Sequence, residues 1–193
     1  MVSPVDPNEV RLTGENSFIR LGSEEAWPLT TVASHWRILL SPAGPGHLLS
    51  LHSELTDDQV RVYSDNTAMA RWMQEEIEGF IAPGFADQSL PVIEATFSRQ
   101  GDVRSFWTEK VASNDTEISL TWYDFDEPFF VGLAPGNLPG RPHGSYSVLI
   151  PARRAQLLIN GKAAQGRPFP RDLFGQRYSN CCVAWSETWV RPR

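Results

Sequence analysis

Two glutamates on either side of a tight turn offer the clearest chemistry in this sequence. A two-residue turn at Gln100-Gly101 would place Glu94 opposite Trp107 on neighbouring strands, with Glu109 on the same face. Carboxylates about 7–8 Å apart can share one substrate, and burial beside an indole raises a carboxyl pKa toward neutrality. We therefore predict that Glu94 and Glu109 are catalytic, one donating a proton and the other accepting it. The alternative is an ordinary solvent-exposed sheet face.

The histidines supply a reserve base and a possible metal site. His52 is the predicted reserve base, because an imidazole titrates near neutral pH. His52 and Glu54 share one strand face, whereas His47 lies on the opposite face. We predict no metal and no cofactor. A cupin-type metal enzyme built around His52 and Glu54, with His35 and His143 as spare ligands, remains an alternative.

Aromatic residues near these groups are the predicted ligand-binding residues. They are Trp107, Trp122, Phe129, Phe130, His143 and Tyr63. The segment 124–144 is rich in proline and glycine, and long irregular loops of this kind often act as lids. We predict that it covers the site, with Phe129 or Phe130 against the ligand and His143 near the hinge. Trp185, Glu187 and Trp189 alternate, which predicts one shared face.

The elements that position these residues follow from hydrophobic periodicity. Alternation of apolar and polar residues predicts short strands. They cover residues 9–12, 17–21, 34–40, 47–52, 59–63, 91–98, 103–112, 117–123, 129–132, 145–150, 155–160 and 182–190. Apolar spacings of three and four predict a helix over 67–81, with Asp65 or Asn66 as the N-cap. Asn160-Gly161 predicts a second hairpin.

These elements predict a mainly β chain, a single domain over residues 1–193. We expect an antiparallel β-barrel or barrel-like sandwich with one main helix, since closure removes exposed strand edges. A jelly roll is the alternative. The element order resembles the calycin-type barrels, such as the lipocalins, and also the carotenoid-hydratase and related cyclase-like barrels. That resemblance is one of architecture and carries over no catalytic residue.

Composition excludes several partners. The 193 residues have a formal net charge of −6 and scattered arginines, so we predict no nucleic-acid binding. No apolar stretch is long enough to span a membrane, and the first residues have no leader pattern. We expect a cytoplasmic protein that binds no membrane. Apolar residues in the segments 124–144 and 161–180 predict a homodimer.

Known catalytic signatures such as a phosphate-binding loop or a nucleophile elbow are missing from the sequence. We therefore predict a cofactor-independent lyase, hydratase or isomerase. It would bind a small hydrophobic or glycosidic molecule and use carboxylate acid–base catalysis. The alternatives are a binding module or accessory subunit without catalysis, and the metal enzyme described above.

Overall fold

The computed structural model describes residues 8–23, 28–137, 142–173 and 175–192. Within these ranges it contains fourteen strands and one α-helix, α1 (Thr67–Glu76). The strands are β1 (Asn8–Gly22), β2 (Leu29–Leu40), β3 (Gly46–Ser53), β4 (Arg61–Ser64), β5 (Val92–Glu94), β6 (Thr96–Asp102), β7 (Phe106–Ala112), β8 (Glu117–Phe125), β9 (Phe129–Leu133), β10 (Gly144–Ile159), β11 (Lys162–Ala163), β12 (Pro170–Leu173), β13 (Gln176–Ser179) and β14 (Cys182–Pro192). Short 3₁₀ helices occupy Glu54–Thr56, Glu78–Phe80 and Pro83–Ala86.

One sheet contains every strand named above except the β12–β13 hairpin. Its order is β5-β4-β3-β2-β1-β14-β10-β8-β7-β6, and β9 and β11 also pair with β10. The two ends of this order belong to one run of chain, because a single residue, Ala95, separates β5 from β6. β5 pairs with β4 at one end and β6 pairs with β7 at the other. The sheet is therefore a nearly closed barrel, which confirms the predicted fold class.

Both faces of this sheet are buried over part of its area. The inner face carries one apolar cluster, which includes Ile19, Leu49 and Trp122. The outer face carries a second, in which α1 packs Met69 and Met73 against the strands. Successive strand residues point to opposite faces. Leu48 accordingly belongs to the outer cluster, whereas its neighbour Leu49 belongs to the inner one.

The helix begins as predicted and ends early. The Asn66 side chain accepts a hydrogen bond from the Met69 N–H, which makes Asn66 the N-cap. The helix stops at Glu76, and the chain continues as the 3₁₀ helix Glu78–Phe80. Gly79 has a low helix propensity, and Glu78 turns its side chain inward to accept a hydrogen bond from the Trp36 indole. The prediction that the helix reaches residue 81 is therefore wrong.

The two predicted hairpins have different outcomes. The Asn160-Gly161 turn is confirmed, since both residues have positive φ and Ile159 pairs with Lys162. The two-residue turn at Gln100-Gly101 is wrong, because the chain turns after Asp102, which pairs with Phe106.

The Asp102 side chain explains where this turn forms. Its Oδ1 accepts hydrogen bonds from the backbone N–H groups of Arg104 and Ser105 at 2.7 and 3.1 Å. Such bonds from an aspartate to the following backbone define a turn. The resulting register pairs Arg99 with Glu109. The observed register of β6 and β7 is offset from the predicted one by an odd number of residues. Such an offset exchanges the two faces of one strand relative to the other, so the predicted pairing of Glu94 with Trp107 does not form.

Candidate functional site

A buried carboxyl group lies on the inner face near one end of the barrel. Glu109 on β7 is only 5% exposed, and its Oε1 accepts a 2.8 Å hydrogen bond from the Trp107 indole N–H. Burial raises the pKa of Glu109 to about 7, although the hydrogen bond from Trp107 and the charge of Arg99 oppose this shift. Near neutral pH this carboxyl group therefore exists in both protonation states.

A buried imidazole faces this carboxyl group. His35 on β2 is 2% exposed, and its Nε2 lies 3.9 Å from Glu109 Oε2. This distance is too long for a hydrogen bond, and His35 Nε2 has no hydrogen-bond partner among the described residues. Burial and the charges of His47 and Arg99 lower the pKa of His35 to about 3. The ring is neutral at physiological pH, so Nε2 can accept a hydrogen bond.

Two arginines lie above this pair, and one carboxylate bridges them. Arg37 Nη1 lies 3.0 Å from Glu15 Oε1, and Arg99 Nη1 lies 2.7 Å from Glu15 Oε2. The Arg99 guanidinium also lies 5.4 Å from the centre of the Trp107 ring. Each arginine side chain is about one-third exposed, so this layer meets solvent at the mouth of the barrel.

Aromatic rings complete the mouth. Phe97 on β6 stacks on His47, with ring centres 5.0 Å apart, and Trp185 makes an edge contact with Trp107 at 5.2 Å. Trp185 is 41% exposed and is the ring at this site most accessible to a ligand. We refer to Glu109, His35, Glu15, Arg37, Arg99, Phe97, Trp107 and Trp185 as the barrel mouth.

Trp185 reaches the mouth because of a β-bulge. Ser186 pairs with Val148 and Ala184 pairs with Leu149, so Trp185 is an extra residue in β14. The bulge reverses the alternation, and Glu187 and Trp189 therefore lie on the outer face. The prediction that Trp185, Glu187 and Trp189 share one face is wrong for this reason.

The structure does not bring Glu94 to Glu109. Glu94 is exposed on the outer side of the barrel, next to Ala112 and Ser113. It lies in β5 and pairs with Ser64 of β4, and the register of β6 and β7 also differs from the predicted one. His52 is half-buried and lies on the outer face of β3, opposite to Leu49 and Leu51. Of the three predicted catalytic residues, Glu109 alone lies in the barrel mouth.

The predicted ligand-binding residues are also scattered. Trp107 lies in the mouth, whereas Trp122 and Tyr63 are fully buried in the inner core. The Trp122 indole donates a hydrogen bond to the Phe18 carbonyl. These two rings therefore have a packing role.

The segment 124–144 does not cover the mouth in its described part. β9 pairs instead with β10, from Ser145 to Leu149. Phe129 contacts Tyr178, and Phe130 is 66% exposed. His143 lies on the outer side, with Nε2 3.3 Å from Glu76 Oε2. Residues 138–141 of this segment lie outside the described residues.

The residues of the metal alternative have other partners. Glu54 Oε1 accepts a hydrogen bond from the Gln165 N–H at 2.7 Å, and Oε2 accepts one from the Ser53 hydroxyl. Burial works against ionisation of Glu54, but these hydrogen bonds outweigh it and lower its pKa. In the described ranges, no group of three or more histidine, cysteine, aspartate or glutamate residues is arranged to hold a metal ion.

Sequence reasoning missed most of the mouth. Glu15, Arg37 and Arg99 are not among the predicted site residues, and His35 is predicted only as a spare ligand of the metal alternative. A signal for them exists, because Glu15 and Ser17 continue the alternate, inward positions of Ile19 and Leu21 on β1, as His35 and Arg37 continue that of Ala33 on β2. Polar residues at inward positions of adjacent strands indicate a polar layer inside a barrel.

Comparisons with known proteins identify no relative. Neither a family model, nor a curated protein, nor a solved structure matches this chain. No helix within the described ranges is long and apolar enough to cross a membrane.

Proposed function

We propose that this barrel binds a small neutral molecule at its mouth and catalyses a cofactor-independent proton transfer on it, as a lyase, hydratase or isomerase. The observation that carries the proposal is the Glu109–His35 pair. A carboxyl group with a pKa of about 7 faces a neutral imidazole whose Nε2 has no hydrogen-bond partner in the described part of the chain. A group that titrates near the working pH is the best general acid or base.

The distance between the two groups suits one substrate atom. Glu109 Oε2 and His35 Nε2 are 3.9 Å apart, so an oxygen about 2.8 Å from each would bridge them. Protonated Glu109 would donate to that oxygen, and His35 would position it by a second hydrogen bond. Protonation of a hydroxyl group assists its departure as water, with the electron pair of the C–O bond. The Glu109 carboxylate that remains then accepts a proton from the neighbouring carbon, and the electron pair of that C–H bond forms the C=C bond.

The rim favours a neutral ligand over an anion. Glu15 already contacts both arginines, so the positive charge of Arg37 and Arg99 is partly neutralised. The rings of Trp185, Trp107 and Phe97 supply apolar contact area. Aromatic rings beside a carboxyl group suit a hydrophobic alcohol or a sugar derivative.

Binding is tested with two neutral probes, geraniol and phenyl glucoside, by isothermal titration calorimetry. We expect at least one probe to bind, and Trp185→Ala to weaken its affinity about tenfold, because this ring is the most exposed one in the mouth. Phe130→Ala is the matched control, since it removes an exposed ring outside the mouth. Equal losses in both variants, or no binding of either probe, contradict the proposed site.

Catalysis is tested separately by mass spectrometry and chromatography of the same incubations. We expect conversion of the bound probe, and a loss of turnover of at least about 10²-fold in Glu109→Gln with binding retained. Binding without conversion would support the second candidate function, a non-catalytic binding module. The tightly packed inner core below the mouth favours that candidate.

We also propose that two copies of the chain associate through β9. β9 pairs only with β10 among the described strands, so its other edge is open, and Phe130 and Val148 are exposed beside it. An open edge can pair with its own copy about a two-fold axis. Light scattering of the wild type should give twice 21.6 kDa, and Val131→Pro should give the monomer. A wild type of 21.6 kDa excludes the dimer.

A cytoplasmic location is proposed on the two cysteines. Cys181 and Cys182 are free thiols, and both are buried. Burial raises the pKa of Cys181 to about 12, which keeps it unreactive. A full-length fusion found outside the cytoplasm in cell fractionation would contradict this location.

A further inference from the structure

A second cavity lies on the outer face of the sheet, on the opposite side from Glu109. It has a volume of about 160 Å³, and β1, β10 and β14 form its floor. The β12–β13 hairpin closes one end with Arg171 and Tyr178, and Ile81 lies along its side. A cavity of this size holds a molecule about as large as benzene.

Two arginines at one end of this cavity have no acidic partner among the residues that the structure describes. Arg20 and Arg171 both line the cavity and are half-buried. The Arg20 guanidinium lies 5.4 Å from the Phe18 ring centre, and that of Arg171 lies 5.5 Å from the Tyr178 ring centre. In the described part of the chain, no carboxylate oxygen lies within 4.0 Å of either guanidinium.

The other arginine pairs on this barrel are built differently. Arg37 and Arg99 share Glu15, while Arg153 and Arg154 contact Asp126 and Asp124. Burial lowers the pKa of Arg20, and the charge of Arg171 lowers it further, so the two cations repel each other. Two adjacent cations held out of bulk water are stabilised when an anion sits between them.

Glu187 is not this anion. It lines the same cavity, but it pairs with Gly14, six residues before Arg20 along β1. Six residues of strand span roughly 20 Å, so Glu187 lies near the far end from the arginines. Between the two ends the wall is mixed: Leu149 and Tyr178 are apolar, and Ser145 and Ser147 carry hydroxyl groups.

We propose that this outer cavity binds a small molecule carrying an oxyanion, a carboxylate or a phosphate group, between Arg20 and Arg171. A guanidinium matches either group through two parallel hydrogen bonds. The apolar part of the ligand lies along Tyr178 and Leu149, and the serine hydroxyls bind polar atoms further along. This site is independent of the barrel mouth, since the sheet separates the two.

The test is calorimetric titration with sodium benzoate and with inorganic phosphate, at an ionic strength held constant with sodium chloride. If only benzoate binds, the ligand of the cavity is a carboxylate with an apolar body. If phosphate also binds, the oxyanion is sufficient for binding. We expect Arg171→Gln and Arg20→Gln each to raise the dissociation constant of the bound probe at least tenfold. No binding of either probe at millimolar concentration overturns the proposal.

Two controls keep the test specific. Arg154→Gln removes a matched arginine, whose guanidinium lies 5.7 Å from the Tyr123 ring centre but which contacts Asp124. Arg154→Gln should leave the dissociation constant of the bound probe unchanged. Glu109→Gln should also leave it unchanged, because Glu109 belongs to the barrel mouth, and a loss of catalysis in that variant tests only the proposed function of the mouth. If Arg20→Gln does not fold, the more peripheral Arg171→Gln decides. An equal weakening in Arg154→Gln would show a general charge effect and overturn the site.

Discussion

Glu109 and Glu78 belong to opposite faces of one sheet, and their immediate surroundings are alike. Each accepts a hydrogen bond from an indole N–H, from Trp107 at 2.8 Å and from Trp36 at 2.6 Å. Burial raises the pKa of both carboxyl groups to about 7. The two carboxyl groups differ in what surrounds each carboxyl–indole pair. Glu78 is sealed under the end of α1, whereas Glu109 lies beneath a rim open to solvent.

The comparison separates a structural carboxyl group from a candidate catalytic one. The hydroxyl groups of Ser50 and Ser34 favour the charged form of Glu78, while Glu187 opposes it by repulsion. Glu78 Oε2 and Ser50 Oγ are buried and have no hydrogen-bond partner among the described residues. Glu109 instead faces a neutral imidazole whose Nε2 has no hydrogen-bond partner within the described ranges. A raised pKa is therefore common to both sites and distinguishes neither. Both sites contain an unpaired polar atom, so the access to solvent and the facing imidazole are what mark the barrel mouth.

Truncation of the two carboxyl side chains should have unequal effects on stability. Glu78→Ala leaves the Trp36 N–H without a partner in a sealed site and creates a cavity, so we expect a loss of about 4 kcal/mol. In Glu109→Ala, water from the solvent-facing rim can reach the Trp107 N–H, so the free energy of unfolding should fall by only about 2 kcal/mol. Urea unfolding at pH 6 measures both. A smaller loss for Glu78→Ala would show that Glu78 is not structural.

The pH dependence should be similar for the two carboxyl groups. Both pKa values are raised from 4.5 to about 7, so the folded state holds these protons more tightly than the unfolded state. The stabilisation is complete below about pH 4.5 and is lost as the pH rises through 7. Each group should contribute about 3 kcal/mol to this fall. Glu78→Gln and Glu109→Gln should each flatten the unfolding free energy between pH 4.5 and 7, and an unchanged slope would contradict the burial effect.

His35 should act in the opposite direction. Its pKa is lowered to about 3, so the unfolded chain takes up a proton near pH 6.5 that the folded chain refuses. The free energy of unfolding then falls as the pH decreases below 6.5, by about 2 kcal/mol at pH 5. His35→Gln should remove this fall. The imidazole resonances of His35 can be assigned in NMR spectra, because they are absent from the spectrum of His35→Gln. They should show no titration above pH 5, and a midpoint near 6.5 would contradict a neutral partner for Glu109.

The smallest effect concerns the turn that sets the register of Glu109. Asp102→Ala removes the side-chain acceptor of the Arg104 and Ser105 N–H groups and should cost about 1 kcal/mol. Asp102→Asn keeps an acceptor and is the control. Thermal unfolding compares the two variants. If Asp102→Ala and Asp102→Asn are equally stable, the backbone and not this side chain determines the turn.

The sequence predicts more of the fold than of the site, for a physical reason. Alternation extends over many residues and survives small errors, so strands, helix and barrel could be predicted. The boundaries are less exact: the two predicted strands 145–150 and 155–160 form one strand, β10, which ends at Ile159. The site depends on which face each residue takes, and one side chain can decide that. Asp102 places the turn after residue 102, and in the resulting register Glu94 does not face Glu109. The bulge at Trp185 places Glu187 on the opposite face of the sheet from Trp185.

The pairing of β1 with β14 has a consequence for synthesis of the chain. Arg20 on β1 and Cys181, next to the start of β14, contact each other although they lie 161 residues apart along the chain. Ribosomes add about 5–20 residues per second, so β1 waits roughly 8–30 s before its second neighbour exists. During that time the inner apolar residues of β1 have no complete core to pack into. The barrel cannot close gradually from its first strand, and its final closure follows the synthesis of β14.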